Sequence, residues 1–387
     1  MDEAAEVLLQ FSRVSSTIYN LSLKRWQDRG GKIVGLVCSY VPEELFTAAG
    51  VLPFRLRATG SLDTSQGDPY AGAFTCSYVR HLLSMAFSGA YDFLDGIVFF
   101  NSCDHARRVY DIWNRKLTTP FQHYISVPHK GGADQVAVYR KELEVLKKSL
   151  ESSFGVSIHD EDLRQAIRVH NQTRRLQKII YDLKAQESPP LTGAETLSIL
   201  IAGTAMPKDE YNLLLEKLIP VLKARAGASG YIARLMVAGS CLDNPAYIQV
   251  FEEMGALIVT DLLCFGADAC WSLVDETSAD PLEALARYQL DERIPCARMV
   301  GQYPRRLGFI KDMVKTFNVN GVVCERMKFC DIWAAENLLF KRSLQESGIP
   351  VLSLEREYML GNVGQMKTRI QAFLETITEG KKCHSPG

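Results

Sequence analysis

The sequence predicts an α/β protein made of two similar lobes, each on a doubly wound parallel sheet, with a helical spacer between them in the chain. Three observations predict it. Residues 95–113, DGIVFFNSCDHARRVYDIW, read as a buried strand followed by a helix: residues 97–100 are a short apolar run entered through Gly96, and Val109, Ile112 and Trp113 recur at helical spacing. The pattern returns late in the chain, where Gly321, Val322 and Val323 start a strand, ERMKF makes the loop and Cys330-Asp331 opens a helix carrying Ala335, Leu338 and Leu339. A second pair matches more fully. The strand at 33–37 leads to Cys38, Pro42, a helix ending near Gly50 and a strand from Val51; the strand at 235–238 leads to Cys241, Pro245, a helix ending near Gly255 and a strand from Ala256. Cysteine and proline recur at the same offset, as expected of two copies of one α/β unit.

Taken in order, residues 3–29 form an amphipathic helical lead-in closed by Gly30-Gly31. The strand at 33–37 runs into Cys38-Ser39-Tyr40-Val41-Pro42-Glu43-Glu44, where a proline and two carboxylates suit a helix N-terminus. After a strand at 51–56 and a polar loop at 59–70, Cys76 stands just before a helix at 77–89, and the Cys103 joint follows. From about 136 to 226 strand signals nearly vanish; Leu143, Leu146 and Leu150 recur at helical spacing, and Thr192 with Glu195 makes a capping box. Strands at 233–238, 256–260, 321–323 and 350–354 then build the second unit, and residues 379–387 read as a disordered tail. The expected partition is 1–135, an N-terminal α/β lobe with its lead-in; 136–226, helical; and 227–387, a C-terminal α/β lobe.

A chain of 387 residues exceeds one typical core, in keeping with that partition. With 44 basic against 45 acidic residues it has no electrostatic footprint for nucleic acid or an anionic membrane. MDEAAEVLLQF is acidic where a secretory signal is basic, and no apolar stretch approaches the ~20 residues that span a bilayer, so a cytoplasmic protein is expected. Neither a phosphate-cradling Gly-x-x-x-x-Gly-Lys-Ser/Thr loop nor a dinucleotide Gly-x-Gly-x-x-Gly occurs.

Ten cysteines in such a chain are not expected to be a disulfide framework. None sits in a Cys-x-x-Cys pair, which argues against zinc-ribbon, thioredoxin-like and ferredoxin-type runs, so a metal site would be assembled from distant loops. Cys38, Cys76, Cys103, Cys241, Cys264 and Cys330 all fall after a predicted strand or before a predicted helix, whereas Cys270, Cys296, Cys324 and Cys383 do not. Ligands of open α/β sheets bind at the carboxyl ends of the strands, where those six lie. A buried cysteine can equally be a small core hydrophobe, but six at one edge of two sheets suggest a shared centre, and thiolates without histidines favour iron–sulfur or zinc.

FTCSYVR around Cys76, DFLDGIVFFNSCDHARRVYDIW around Cys103 and MKFCDIWAAENLLFKRSLQESGIPVLSLEREY around Cys330 resemble the 2-hydroxyacyl-CoA dehydratase and benzoyl-CoA reductase family, as do CSYVPEELFTAAGVLP and GQMKTRIQAFLE. The resemblance covers nearly the whole chain. It implies two Rossmann-like lobes with a [4Fe–4S] cluster between them, held by residues corresponding to Cys76, Cys103 and Cys330. It further implies a homologous second subunit or a homodimer, an ATP-hydrolysing iron–sulfur activator that feeds in electrons, and an acyl-CoA substrate. By the same resemblance, one-electron reduction of the thioester to a ketyl would let a 2-hydroxyl leave, or the electron would enter an aromatic ring. Ser39, Glu44 and His105 are candidates for binding oxygen or moving a proton beside the cluster. Arg55, Arg80, Arg107 and Arg108 are candidates for CoA phosphates. The same family contains double-cubane cluster proteins, for which Cys38, Cys241 and Cys264 could supply a second trio; PCARM at Cys296 has one cysteine where that branch is expected to show Cys-x-Cys. A non-catalytic iron–sulfur electron carrier is the remaining alternative.

Overall fold

Why the two halves look alike in sequence is evident from their strand order. A computed structural model describes residues 3–383. Two helices lead in, α1 (Glu3–Ser16) and α2 (Leu21–Asp28), followed by β1 (Lys32–Leu36), α3 (Glu43–Ala48), β2 (Val51–Arg55), α4 (Ser77–Phe87), β3 (Gly96–Phe100), α5 (Asp104–Lys116) and β4 (Phe121–Ile125). Four long-to-medium helices come next: α6 (Ala133–Phe154), α7 (Asp160–Lys184), α8 (Gly193–Ala202) and α9 (Lys208–Ala224). The second half runs β5 (Ala233–Gly239), α10 (Pro245–Glu253), β6 (Ala256–Leu262), α11 (Pro281–Arg287), α12 (Tyr303–Thr316), β7 (Gly321–Met327), α13 (Asp331–Gln345), β8 (Val351–Arg356) and α14 (Val363–Cys383).

One sheet has the order β2-β1-β3-β4 and the other β6-β5-β7-β8. All pairs are parallel, with Val34 opposite Gly96 in the first sheet and Leu235 opposite Gly321 in the second. The α/β expectation with two Rossmann-like lobes therefore holds. In each sheet the strand order reverses beside the first strand, so the loops after β1 and β3, and after β5 and β7, open at a switch point. Gly239 brings the second of these crevices together: a Cβ there would sit 2.0 Å from the Glu325 carbonyl oxygen, so only glycine lets the end of β5 lie this close to β7.

Local chemistry sets the helix limits. Asn20 breaks the lead-in into two helices by accepting from the Ser22 and Leu23 amides, and its own amide donates to Ala205 O. Thr192 and Glu195 form the expected capping box on α8. On α6 the buried residues Val136, Tyr139, Leu143, Leu146 and Leu150 follow the i, i+3, i+4 stripe of a helix with one face on a core. Two expectations need correction. Sequence patterning gave no strand at β4, because Gln122 and His123 interrupt its apolar character and its middle is only half-buried. At the other end α14 continues through Cys383, so the segment read as a disordered tail is helical from Glu379 to there, and the rest of it lies outside the described residues.

Packing interleaves the two halves. The face of the first sheet carrying Val34, Leu36, Val98 and Phe100 is covered by α6 together with Val274, Leu282, Leu285, Leu290 and Met299 from the chain after β6. Helix α7 packs on α3, α9 and β6, while α8 packs on α1, α10 and β6. Tyr358, just after β8, reaches the first half: its amide donates to Ser77 Oγ, and its hydroxyl accepts from the Ala58 amide and donates to buried Asp243. No helix among the described residues is long and apolar enough to cross a membrane.

Candidate functional site

Seven cysteines, Cys38, Cys76, Cys103, Cys241, Cys264, Cys296 and Cys330, line one cavity of about 130 Å³. The fold brings them there by a repeated rule. Cys38 and Cys241 follow the equivalent strands β1 and β5, Cys103 and Cys330 follow β3 and β7, and Cys76 and Cys264 follow β2 and β6. Cys76, Cys103 and Cys330 share a further feature: each is the N-cap of a helix, α4, α5 and α13 respectively. A helix N-terminus carries about half a positive charge in unsatisfied N–H groups, so three of them favour negative charge on those thiols. Cys103 Sγ accepts from the Ala106 amide at 3.4 Å.

The thiols act on one another across the cavity, Cys103 feeling both Cys76 and Cys38. Cys330 feels the charges of Cys76 and Cys103, whereas Cys296 feels those of Cys38 and Cys264, and Cys241 lies in hydrogen-bond contact with Cys264. Burial pushes the Cys76 and Cys330 thiols up and Cys103 up to about 11, against the pull of nearby backbone N–H groups. Cys264 is moved the other way, first by the hydrogen bond from Cys241, with Arg55 assisting against burial. Met327 lies against the Cys76 end of α4, its Sδ 3.4 Å from Cys76 Sγ and accepting from the Tyr78 amide at 3.2 Å. Phe329, next to Cys330, adopts φ 62°, a left-handed conformation costly for a bulky side chain, and its ring meets Phe74 edge-on at 5.5 Å.

Seven thiols line the cavity with His105 and Asp331, a donor set that would fit an iron–sulfur cluster. Among the described residues no three His, Cys, Asp or Glu side chains converge closely enough to hold one metal ion. The thiols ring a space instead, and soft sulfur donors around a space suit a cluster gripped at several points.

Comparison with known proteins decides the family. The family model described as 2-hydroxyglutaryl-CoA dehydratase, D-component, matches residues 38–377. The chain belongs to that family. The D-component match starts at Cys38 and includes every thiol of the cavity. Among its relatives are a benzoyl-CoA reductase subunit from Thauera aromatica, 24% identical with 96% of this chain and 98% of the relative covered, and the (R)-phenyllactyl-CoA dehydratase beta subunit of Clostridium sporogenes, 26% identical with 92% and 94% covered. The (R)-2-hydroxyglutaryl-CoA dehydratase beta subunit of Acidaminococcus fermentans is 26% identical, with 95% and 98% covered.

The other candidates of this D-component-family chain divide. Ser39 and His105 line the thiol cavity. Ser39 Oγ accepts from Arg293 Nη2 at 3.1 Å, which leaves its own hydrogen for an acceptor. His105 Nδ1 accepts from the Cys76 amide at 3.2 Å, so the neutral ring carries its proton on Nε2, 3.9 Å from Asp331 Oδ2. Glu44 does not face the cavity, contrary to expectation. The first turn of α3 directs it onto α7, where it is fully buried and paired with Arg174. Burial alone would raise its pKa, but the charges of Arg174 and His170 and the hydrogen bond from Arg174 outweigh that and bring it down to about 2. Of the arginines, Arg55 lines the cavity, Arg80 is taken up by Asp68 at 2.7 Å, Arg107 lies 3.6 Å from Asp104, and Arg107 and Arg108 are exposed.

Cys296 is the cavity thiol that sequence reasoning set aside. It follows no strand; it reaches the site because the chain after β6 crosses to the first lobe, where its amide donates to Tyr40 Oη at 3.0 Å. Nothing local in PCARM signals that crossing. Cys270 and Cys324, set aside with it, are core thiols packed with Met236, Phe309 and Trp333.

Proposed function

We propose that this chain is the iron–sulfur subunit of an enzyme acting on CoA thioesters, an oxidoreductase or lyase of the benzoyl-CoA reductase or 2-hydroxyacyl-CoA dehydratase kind. The observation that carries the reading is the meeting of Cys76, Cys103 and Cys330, from both lobes, at three helix N-termini around one cavity. These three thiolates would hold a [4Fe–4S] cluster, which when bound supplies low-potential one-electron chemistry. The chain's own groups bind and orient. Helix N-termini offset the negative charge of the thiolates, Val79, Leu82 and Val109 keep the cavity apolar, the Ser39 hydroxyl presents a hydrogen to an acceptor, and His105 holds a proton at Nε2. The relatives are named as subunits, which supports a homologous partner subunit, or a second copy of this chain. The absence of a nucleotide cradle from the sequence supports a separate ATP-hydrolysing activator, in a cytoplasm that keeps thiols reduced.

Anaerobic reconstitution with counts of iron and acid-labile sulfide per chain tests the ligand set. Assay with a 2-hydroxyacyl-CoA and with benzoyl-CoA, in the presence of activator and ATP, tests the reaction. Indifference to both thioesters in a fully loaded protein defeats the acyl-CoA reading.

A second reading is favoured by the four further thiols in the same cavity. Cys38, Cys241, Cys264 and Cys296 would extend the group to a double cubane acting on small molecules. About twice the iron of a single cubane per chain is the result that selects it.

A further inference from the structure

Among the described residues six arginines are buried: Arg55, Arg57, Arg174, Arg293, Arg298 and Arg306. Five of them have oxygen partners for their guanidinium. Arg174, Arg293 and Arg306 pair with Glu44, Asp268 and Glu336, while Arg57 and Arg298 donate to backbone carbonyls. Arg55 has none. It lies at the end of β2, only 5% exposed, stacked at 5.0 Å on the Phe265 ring, with Nε unpartnered and Nη2 reaching no acceptor but Cys264 Sγ at 3.9 Å. A buried cation without a counter-charge is strongly unfavourable, and the groups beside Arg55 that can supply one are Cys38, Cys264, Cys241 and Tyr78, so this placement calls for thiolate charge in the cavity that the side chain lines.

We propose that Arg55 is a positioning residue for electron uptake: its guanidinium holds fixed positive charge at the cavity, beside Cys264, and stabilises the more negative, reduced state of the group bound in that cavity. This rests on the iron–sulfur reading above. The step is a one-electron reduction in which a low-potential external donor is oxidised, the bound group is reduced, and the net charge of the cavity falls by one. In a low-dielectric interior a fixed cation favours that change at a distance, without contact with the reacting atoms. Net charge near a cluster is one of the quantities that set its potential.

The test compares full-length wild type with Arg55→Met, which keeps the length and removes the charge, and Arg55→Lys, which keeps the charge. Each is reconstituted anaerobically, its iron and sulfide are counted, and its midpoint potential is measured by EPR-monitored titration with a titanium(III) reductant. Wild type and Arg55→Lys are expected to share a midpoint, with Arg55→Met reduced only at lower potential. Loss of iron by Arg55→Met while Arg55→Lys keeps the wild-type load and potential supports the same charge requirement. The proposal is overturned by a loaded Arg55→Met at unchanged potential, by Arg55→Lys displaced as far as Arg55→Met, or by iron loss in both, which would make Arg55 an assembly residue. Iron-free wild type overturns the iron–sulfur reading itself, a result distinct from all of these.

Discussion

Two trios of thiols line the cavity and support negative charge by different means. On one side Cys76, Cys103 and Cys330 cap α4, α5 and α13, so their support comes from backbone N–H groups. On the other, Cys38, Cys241 and Cys264 precede their helices without capping them, and support comes from the side chain of Arg55. Backbone support is inseparable from the fold, whereas side-chain support is open to substitution. The duplication pairs Cys38 with Cys241 and Cys103 with Cys330, each pair within one trio, so only Cys76 and Cys264, the equivalents after β2 and β6, have diverged into different electrostatic settings.

The largest effects should separate the two sides outright. Cys76→Ala, Cys103→Ala and Cys330→Ala are each expected to abolish iron binding, measured as iron and sulfide per chain after anaerobic reconstitution. Cys38→Ser or Cys264→Ser leaves the iron count unchanged if one cubane is held, and removes about half if the group is larger. Full iron in any of the first three would erase the proposed distinction.

A smaller effect sharpens the contrast between Arg55 and a buried arginine that has its carboxylate. Glu44→Gln strands Arg174 beside Tyr288 and should cost about 3–5 kcal/mol in urea unfolding. A loss within 1 kcal/mol would mean that uncompensated guanidinium groups are tolerated in this protein, weakening the reading of Arg55.

Tyr358→Phe tests what holds the two sides face to face. It leaves Asp243 and the Ala58 amide without their shared partner, at a cost of about 1–3 kcal/mol, read as a shift in urea midpoint. Iron content should persist, because the Tyr358 amide still donates to Ser77, beside Cys76.

The gentlest probe is pH. His170, buried beside Glu43, Glu44, Arg174 and Lys208, is lowered by burial from 6.5 to about 4. The fold therefore holds it neutral, and its contribution, complete above pH 6.5, is lost as pH falls toward 4 at about 1.4 kcal/mol per pH unit. His170→Gln should flatten that part of the stability profile.

Strand-to-helix joints were the legible part of this molecule, because a short apolar run ending in a cap residue is a local pattern. That pattern placed seven of the eight strands and six of the seven cavity thiols. What escaped was set by distant packing. Gln122 and His123 hid β4, the direction of Glu44 depends on α7 more than a hundred residues later, and Cys296 enters the cavity by a crossing of the chain that no neighbouring residue announces. The pairing of each buried arginine was likewise invisible, since partners such as Arg174 and Glu44 come from remote segments.

Interleaving has a consequence for biosynthesis. Val274 to Met299 complete the covering of a sheet whose last strand ends at Ile125, and the cavity draws on residues from Cys38 to Cys330. A nascent chain paused midway has one face of its first sheet only partly covered, by α6, and its ring of sulfurs unfinished. Loading of the cavity therefore belongs after translation of nearly the whole polypeptide, and a gene divided at the middle should yield fragments that regain the site only when expressed together.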